Sequence, residues 1–439
     1  MKKNLSWGRY PQVQPRATLP ILWQSDLPHL TGYPTSVLPR GFGRSYGDSC
    51  LNEDGMLLDT TPLMRLIHFD AQQGIIRCEA GVSFADLLQF IVPRGWFLPV
   101  TPGTKFISVA GAIANDIHGK NHHKAGTFGA HVIQFELLRS NGEQLICSAT
   151  QNTELYRATI GGLGLTGLIL WAEFKLKPIH NACIAMERIR FANLEEFFAL
   201  ANQSDRDYEY TVAWVDCLSA GPQQGRGIFF RGNHAHEGFS KSSNHSFRVP
   251  CDLPDFLLNR FTMKIMNGLI YSSAPPDEQK IVHYDPFFYP LDAIHDWNRC
   301  YGKRGFLQYQ CVIPYGQHEE TTQKILSRVA RSGTASFLSV LKLFGDQPSP
   351  GLLSFPKPGV TLAMDFAFRG TKTLQLLEDL DSMVCEMGGL VYPAKDARMS
   401  AEHFQNFFPQ WREFARFIDP KFSSSFWRRV TQDSTRSSS

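Results

Sequence analysis

No run in the chain approaches the roughly 18 apolar residues that a membrane-spanning helix needs, and the start, Met1-Lys2-Lys3-Asn4-Leu5-Ser6-Trp7-Gly8, turns polar before an apolar core of signal-peptide length builds up. A cytoplasmic protein is expected, at most peripheral at the inner face of the cytoplasmic membrane. Net charge is also scarce: it is only +3 over 439 residues, with Lys and Arg scattered, so no footprint for nucleic acid is present. The 9 cysteines contain no C-x-x-C pair and no regular spacing, which excludes a disulfide framework or zinc cluster and fits reduced structural thiols. His234, His236 and His245 are too loosely spaced for a ligand set and read as solvated residues of a mobile loop over 219–250, so no metal is expected. A G-x-G-x-x-G turn opening a helix is missing too, which argues against a Rossmann fold.

Glycine, in contrast, is concentrated. Residues 101–129 include Thr101-Pro102-Gly103-Thr104 and Ser108-Val109-Ala110-Gly111-Ala112-Ile113-Ala114-Asn115-Asp116-Ile117-His118-Gly119-Lys120. Small residues at this density describe either a backbone that a flat, polar cofactor approaches closely or a connector whose glycines only make turns. Upstream, Arg40-Gly41-Phe42-Gly43-Arg44-Ser45-Tyr46-Gly47 forms a tight loop whose amides can converge on an anion, with two arginines beside them. A structural turn alone explains the glycines but not Arg44-Ser45-Tyr46 against them. Around these loops the patterns predict strands at 55–59, 64–70 and 74–81, a helix capped by Ser83, and a hairpin over 132–148 with its turn at Asn141-Gly142. Residues 11–40 show no sustained period.

From about residue 180 the composition changes. Helical patterns at 194–202, 319–332 and 371–387 alternate with aromatic-rich strand formers at 210–216, 287–291, 306–314, 339–344 and 361–366, predicting an antiparallel sheet with helices on one face and a pocket wall on the other. Trp214 lies in one of these strands and reads as core by pattern alone. Residues 253–271 are apolar with Arg260 and Lys264 four apart, the pattern of either an interfacial membrane helix or a buried helix under a lid. A serine-rich tail closes the chain and is expected to be disordered. The length suits two domains, or one large domain with an insertion.

The order of the Gly-rich loop, the Pro-Gly-Thr stretch and Gly161-Gly162-Leu163-Gly164-Leu165-Thr166-Gly167 resembles flavoproteins of the vanillyl-alcohol-oxidase (PCMH-type FAD-binding) superfamily. Within it, residues 43–49, 116–123, 306–310 (Phe-Leu-Gln-Tyr-Gln), 342–345 (Lys-Leu-Phe-Gly), 353–356 and 394–396 are similar to decaprenylphosphoryl-β-D-ribose 2′-oxidases. The resemblance implies an α+β fold: a two-subdomain FAD-binding domain over 1–181, a substrate domain over 182–389 whose antiparallel sheet is flanked by helices, and a return to the FAD-binding domain over 390–439.

It implies FAD contacts from Arg40, Gly41, Phe42, Gly43, Arg44, Ser45 and Tyr46, from Gly103, Ser108, Val109, Ala110 and Gly111, from Asn115, Asp116, Ile117 and His118, and from Ile169 and Tyr392. Relatives with covalent flavin commonly carry a histidine where Arg44 stands, and a guanidinium cannot form that link, so non-covalent FAD is expected. The substrate side would be Trp214, Gln308, Gln310, Lys342, Phe344, Ala363, Asp365 and Lys395, with Lys395, Tyr46 and His118 at the reaction. Mycobacterial members carry a cysteine where Ala363 stands. Lys395 serves either as the base, its pKa depressed by desolvation, or as a charged binder. The implied activity is oxidation of the 2′-hydroxyl of a polyprenyl-phosphate ribose, with a separate short-chain NAD(P)-dependent reductase completing an epimerisation. The alternatives are an oxidase of a soluble sugar or aldonolactone and a non-catalytic flavin-binding partner.

Overall fold

Three four-residue strands, Ala17–Pro20, Val37–Arg40 and Met56–Asp59, pair in parallel near the start of the computed structural model, which describes residues 4–240, 246–254, 257–334, 336 and 338–431. The first two show no period in the sequence. Each contains a proline, and in the second Val37 and Leu38 are both fully buried, which removes the alternation of a half-exposed strand.

Five antiparallel strands follow, in the order Leu66–Asp70, Ile75–Glu79, Leu168–Lys175, Val132–Leu138 and Gln144–Ser148. Helix Phe84–Ile91 begins where the sequence places it: Ser83 Oγ accepts from the Asp86 amide at 3.1 Å and the Asp86 carboxylate reaches back to the Ser83 amide, a reciprocal cap. The hairpin turns at Gly142, whose φ of 90° needs a residue without Cβ.

The second unit is one eight-stranded sheet. Its core strands, Tyr210–Val215, Ser339–Phe344, Gly359–Ala367 and Phe306–Pro314, run antiparallel in that spatial order. Side chains alternate across it. Leu307, Tyr309, Cys311, Leu341, Leu362 and Met364 point to one face, where they form a core with Phe197 of helix Leu194–Ser204, Ile325 and Val329 of His318–Ser332, and Leu377 and Leu380 of Thr371–Glu386. Gln308, Gln310, Val340, Lys342, Thr361 and Ala363 have the opposite parity and face a cavity. Helices on one face and a pocket wall on the other are the expected arrangement.

Two expectations fail locally. Phe287 and Phe288 belong to a short helix, Tyr284–Phe288, and not to a strand; the aromatics are clustered for packing on Phe97 and Tyr210. The loop expected over 219–250 contains the strand Gly227–His234, paired on both edges. His234 is accordingly not solvated: its ring packs on Phe97 at 4.9 Å, and burial pushes its pKa down to about 3. His236, just past the strand, is exposed. His245 and the serine-rich tail lie outside the described residues.

After residue 390 the chain adds Leu390–Val391 to the edge of the eight-stranded sheet and then crosses to the N-terminal unit. The Tyr46 amide donates to Ala394 O at 3.0 Å, and the Val37 amide to Lys421 O at 2.9 Å. No helix among the described residues is long and apolar enough to cross a membrane.

Candidate active site

A cavity of about 640 Å³ lies between the glycine-rich loops and the open face of the large sheet. Arg40, Gly41, Phe42, Gly43, Arg44, Ser45 and Tyr46 wall one side, with Gly103, Ser108, Ala110, Gly111, Asn115, Ile117, His118, Ile169 and Tyr392. Trp214, Gln308, Gln310, Lys342, Ala363 and Lys395 wall the other.

The glycines are explained by close approach. Ser108 Oγ caps helix Val109–Ala114 by accepting from the Gly111 amide at 3.2 Å, and a Cβ on Gly41 would lie 2.3 Å from that same Oγ. The first loop therefore meets the helix start backbone to side chain, with no room for alanine. A Cβ on Gly47 would lie 1.7 Å from Asp396 O, so the end of this loop touches the turn that carries Lys395. A Cβ on Gly103 would meet nothing within 4 Å.

Lys395 Nζ stands 3.8 Å from the centroid of the Tyr46 ring, which is itself hydrogen-bonded to Gln308. Gln308 Nε2 donates to Asp365 Oδ1 at 2.5 Å, and Tyr301 OH donates to Asp365 Oδ2 at 3.2 Å. Desolvation drives the Lys395 pKa down while the Asp365 carboxylate opposes it; desolvation drives Asp365 up.

Beside this pair, Gln310 Nε2 donates to His118 Nε2 at 2.8 Å and to Thr361 Oγ1 at 3.1 Å. With Gln310 donating, the imidazole proton sits on Nδ1, which is buried and has no hydrogen-bond partner among the described residues. Burial, aided by Lys342, keeps His118 neutral by holding its pKa well below the usual value. Lys342 Nζ donates to Gly119 O at 3.1 Å, and burial pushes its pKa down to about 7.

Four sequence-selected residues do not line the cavity. Val109 is turned into the N-terminal core. Asp116, at φ 39°, is fully buried and accepts from the Gly129 amide at 2.9 Å and from Ser354 Oγ, so it braces the loop from behind. Phe344 and Asp365 have the right strand parity but are covered, Phe344 by the rings of His118 and His122 and Asp365 by Gln308 and Tyr301.

Conversely, Lys120 and Thr361 line the cavity and were not selected. Lys120 Nζ donates to Phe287 O, and burial lowers its pKa to about 7. Its position two residues after His118 in a string of small residues was the available signal.

Arg429 fastens the site from outside. It donates to Asp48 at 2.7 and 2.9 Å and to Asp396 at 2.8 Å, joining the end of the first loop to the Lys395 turn. Burial alone would raise the Asp396 pKa, but Arg429 and Arg398 together hold it below the usual carboxylate value.

Residues 30–148 match the family model described as an FAD binding domain. The chain is 37% identical over 411 residues to the decaprenylphosphoryl-β-D-ribose oxidase of Mycolicibacterium smegmatis, covering 90% of this chain and 89% of that one. It is 32% identical to an uncharacterized Streptomyces coelicolor protein from the mprA 5′ region, covering 80% of this chain and all of that protein (100%). A more local similarity, 26% over 51% of this chain and 46% of the relative, links it to cytokinin dehydrogenase 7 of Oryza sativa.

The cavity suits FAD: Gly103 leaves open space where a Cβ would stand, His118 carries a buried ring nitrogen with no hydrogen-bond partner among the described residues, and the interior between the two units is apolar. The chain belongs to the decaprenylphosphoryl-β-D-ribose oxidase family and is an FAD-dependent oxidoreductase acting on a sugar hydroxyl.

Proposed function

We propose that the protein oxidises the 2′-hydroxyl of a polyprenyl-phosphate β-D-ribose to the 2′-keto sugar. The observation that carries this reading is Lys395, set on the Tyr46 ring in a cavity walled by the glycine-rich loops and by the polar side chains of Gln308, Gln310 and Lys342 on the large sheet. FAD, when bound, supplies a hydride acceptor at its N5.

The chain's own residues supply the rest. Lys395, whose ammonium form burial disfavours, accepts the hydroxyl proton at Nζ when deprotonated. The Asp365 carboxylate behind Gln308 offsets the charge that forms. Gln310 and Lys342 would hold sugar hydroxyls and phosphate, Trp214 would pack on the substrate, and neutral His118 lines the same cavity. Ala363 leaves the same wall without a thiol, so reagents that trap a cysteine there have no nucleophile. The keto product then suits an NAD(P)-dependent short-chain reductase, which would complete the epimerisation to the arabinose form.

Incubating holoenzyme with the lipid-linked ribose and an electron acceptor should give a product lighter by two hydrogens, lost from C2′ and its hydroxyl; an unchanged mass contradicts the reading. We propose that the FAD is held without a covalent bond, since Arg44, which rests on the Trp7 ring at 4.2 Å, stands at the sequence position where flavin-linked relatives carry a histidine, and a guanidinium cannot form that link. Acid precipitation is therefore expected to release all the yellow colour into the supernatant, and colour remaining in the pellet would contradict this.

A further inference from the structure

Helix Arg260–Ser273 presents two distinct faces. Its inner face buries Met263 and Asn267, the latter donating to Asp216 Oδ1 at 2.9 Å, and Ile270 on the same side lines the cavity. Its outer face repeats every four residues: Phe261 is 72% exposed, Ile265 48% and Leu269 66%. That spacing places all three on one side of the helix. Leu257, ahead of the helix cap and one turn before Phe261, is exposed as well. Arg260 and Lys264, four apart, run along one edge of this stripe and are exposed, and the helix contains no acidic residue.

A stripe of large, exposed apolar side chains edged by cations is the arrangement that lies in the headgroup region of an anionic bilayer, the apolar groups among acyl chains and the cations beside phosphates. The inner face adds the reason for its location, because one helix separates the cavity from the stripe.

We propose that the outer face of this helix seats the protein on an anionic lipid surface, so that a prenyl tail passes from the bilayer across Ile270 into the cavity. The proposal rests on the lipid-linked substrate of the preceding section. A second copy of the chain is the other occupant that an apolar stripe could take, and the basic edge disfavours it, since two such helices packed through the stripe would bring like charges close together.

The test is flotation of the full-length, FAD-loaded protein with vesicles of equal parts phosphatidylglycerol and phosphatidylcholine. The wild type is expected to float with them and to bind pure phosphatidylcholine less. The double variant Phe261→Asp with Leu269→Asp should lose at least about tenfold in bound fraction. It should keep its flavin spectrum and its reduction by a water-soluble, short-tailed prenyl-phosphate ribose. If that pair disturbs the flavin spectrum, Phe261→Ser with Leu269→Ser serves instead. Failure of the wild type to float, or equal flotation of the variant, overturns the proposal. So does a wild-type dimer in sedimentation that the variant dissolves. Failure of the short-tailed substrate to reduce the flavin would contradict the proposed function and leaves the flotation result standing.

Discussion

Lys395→Met is expected to retain FAD and to lose substrate-driven flavin reduction by about 10²–10⁴-fold, the usual contribution of a positioned general base. Stopped-flow reduction over a range of pH separates the two roles open to this lysine. A base works deprotonated, so the wild-type rate should rise with pH as Lys395 loses its proton. Because burial lowers its pKa from 10.5, that rise should come well below the ordinary lysine range. A lysine that only bound the substrate as a cation would give a rate that falls over the same interval. Asp365 and Tyr46 face the Lys395 ammonium, and Lys342 and His118 stand near enough to feel its charge. Asp365→Asn should therefore move the rising limb to lower pH, since its carboxylate is what opposes desolvation. A rate that rises neither in the wild type nor in the variant would remove Lys395 from the chemistry.

Arg429→Met is expected to destabilise the protein by about 3–5 kcal/mol, because it leaves buried Asp48 without its guanidinium and takes from buried Asp396 one of its two arginines, Arg398 and two backbone amides remaining. Urea unfolding followed by tryptophan fluorescence measures the loss. The effect should reach the site: Gly47 and Asp396 are in backbone contact, so separating Asp48 from Asp396 also loosens Tyr46 against Lys395. Weaker FAD retention should accompany the lost stability. A loss below about 1 kcal/mol would mean that Asp48 finds water or a proton instead, at the low end for a broken buried pair.

The parts of this molecule legible in the sequence are those where one local rule dominates. Alternation in 306–314, 339–344 and 359–367 gives both the sheet and the wall, since the residues that line the cavity share one parity and the core residues the other. The capped helix after Ser83 and the Asn141-Gly142 hairpin are likewise local.

What parity cannot supply is depth: Phe344 and Asp365 face the right way but lie beneath neighbours contributed by distant segments, His118 and Tyr301. Asp116 is misread for a related reason, because its left-handed backbone turns the carboxylate toward Gly129 and Ser354, 13 and 238 residues away. The parallel strand Val37–Arg40 is missed because burial of Val37 and Leu38 together erases its period, and Ala17–Pro20 because it is mostly exposed and has no buried face to alternate. Gly227–His234 is missed because its polar and glycine residues resemble a loop until the partners on both edges are known.

The most direct test of the central claim is anaerobic mixing of the yellow holoenzyme with polyprenyl-phosphate ribose, and separately with ribose 5-phosphate and with gulonolactone, while the visible flavin band is followed. Bleaching by the lipid-linked sugar alone is the predicted result, since it reports hydride transfer and the substrate class together. Bleaching by a soluble sugar or lactone, or by none of the three, would contradict it.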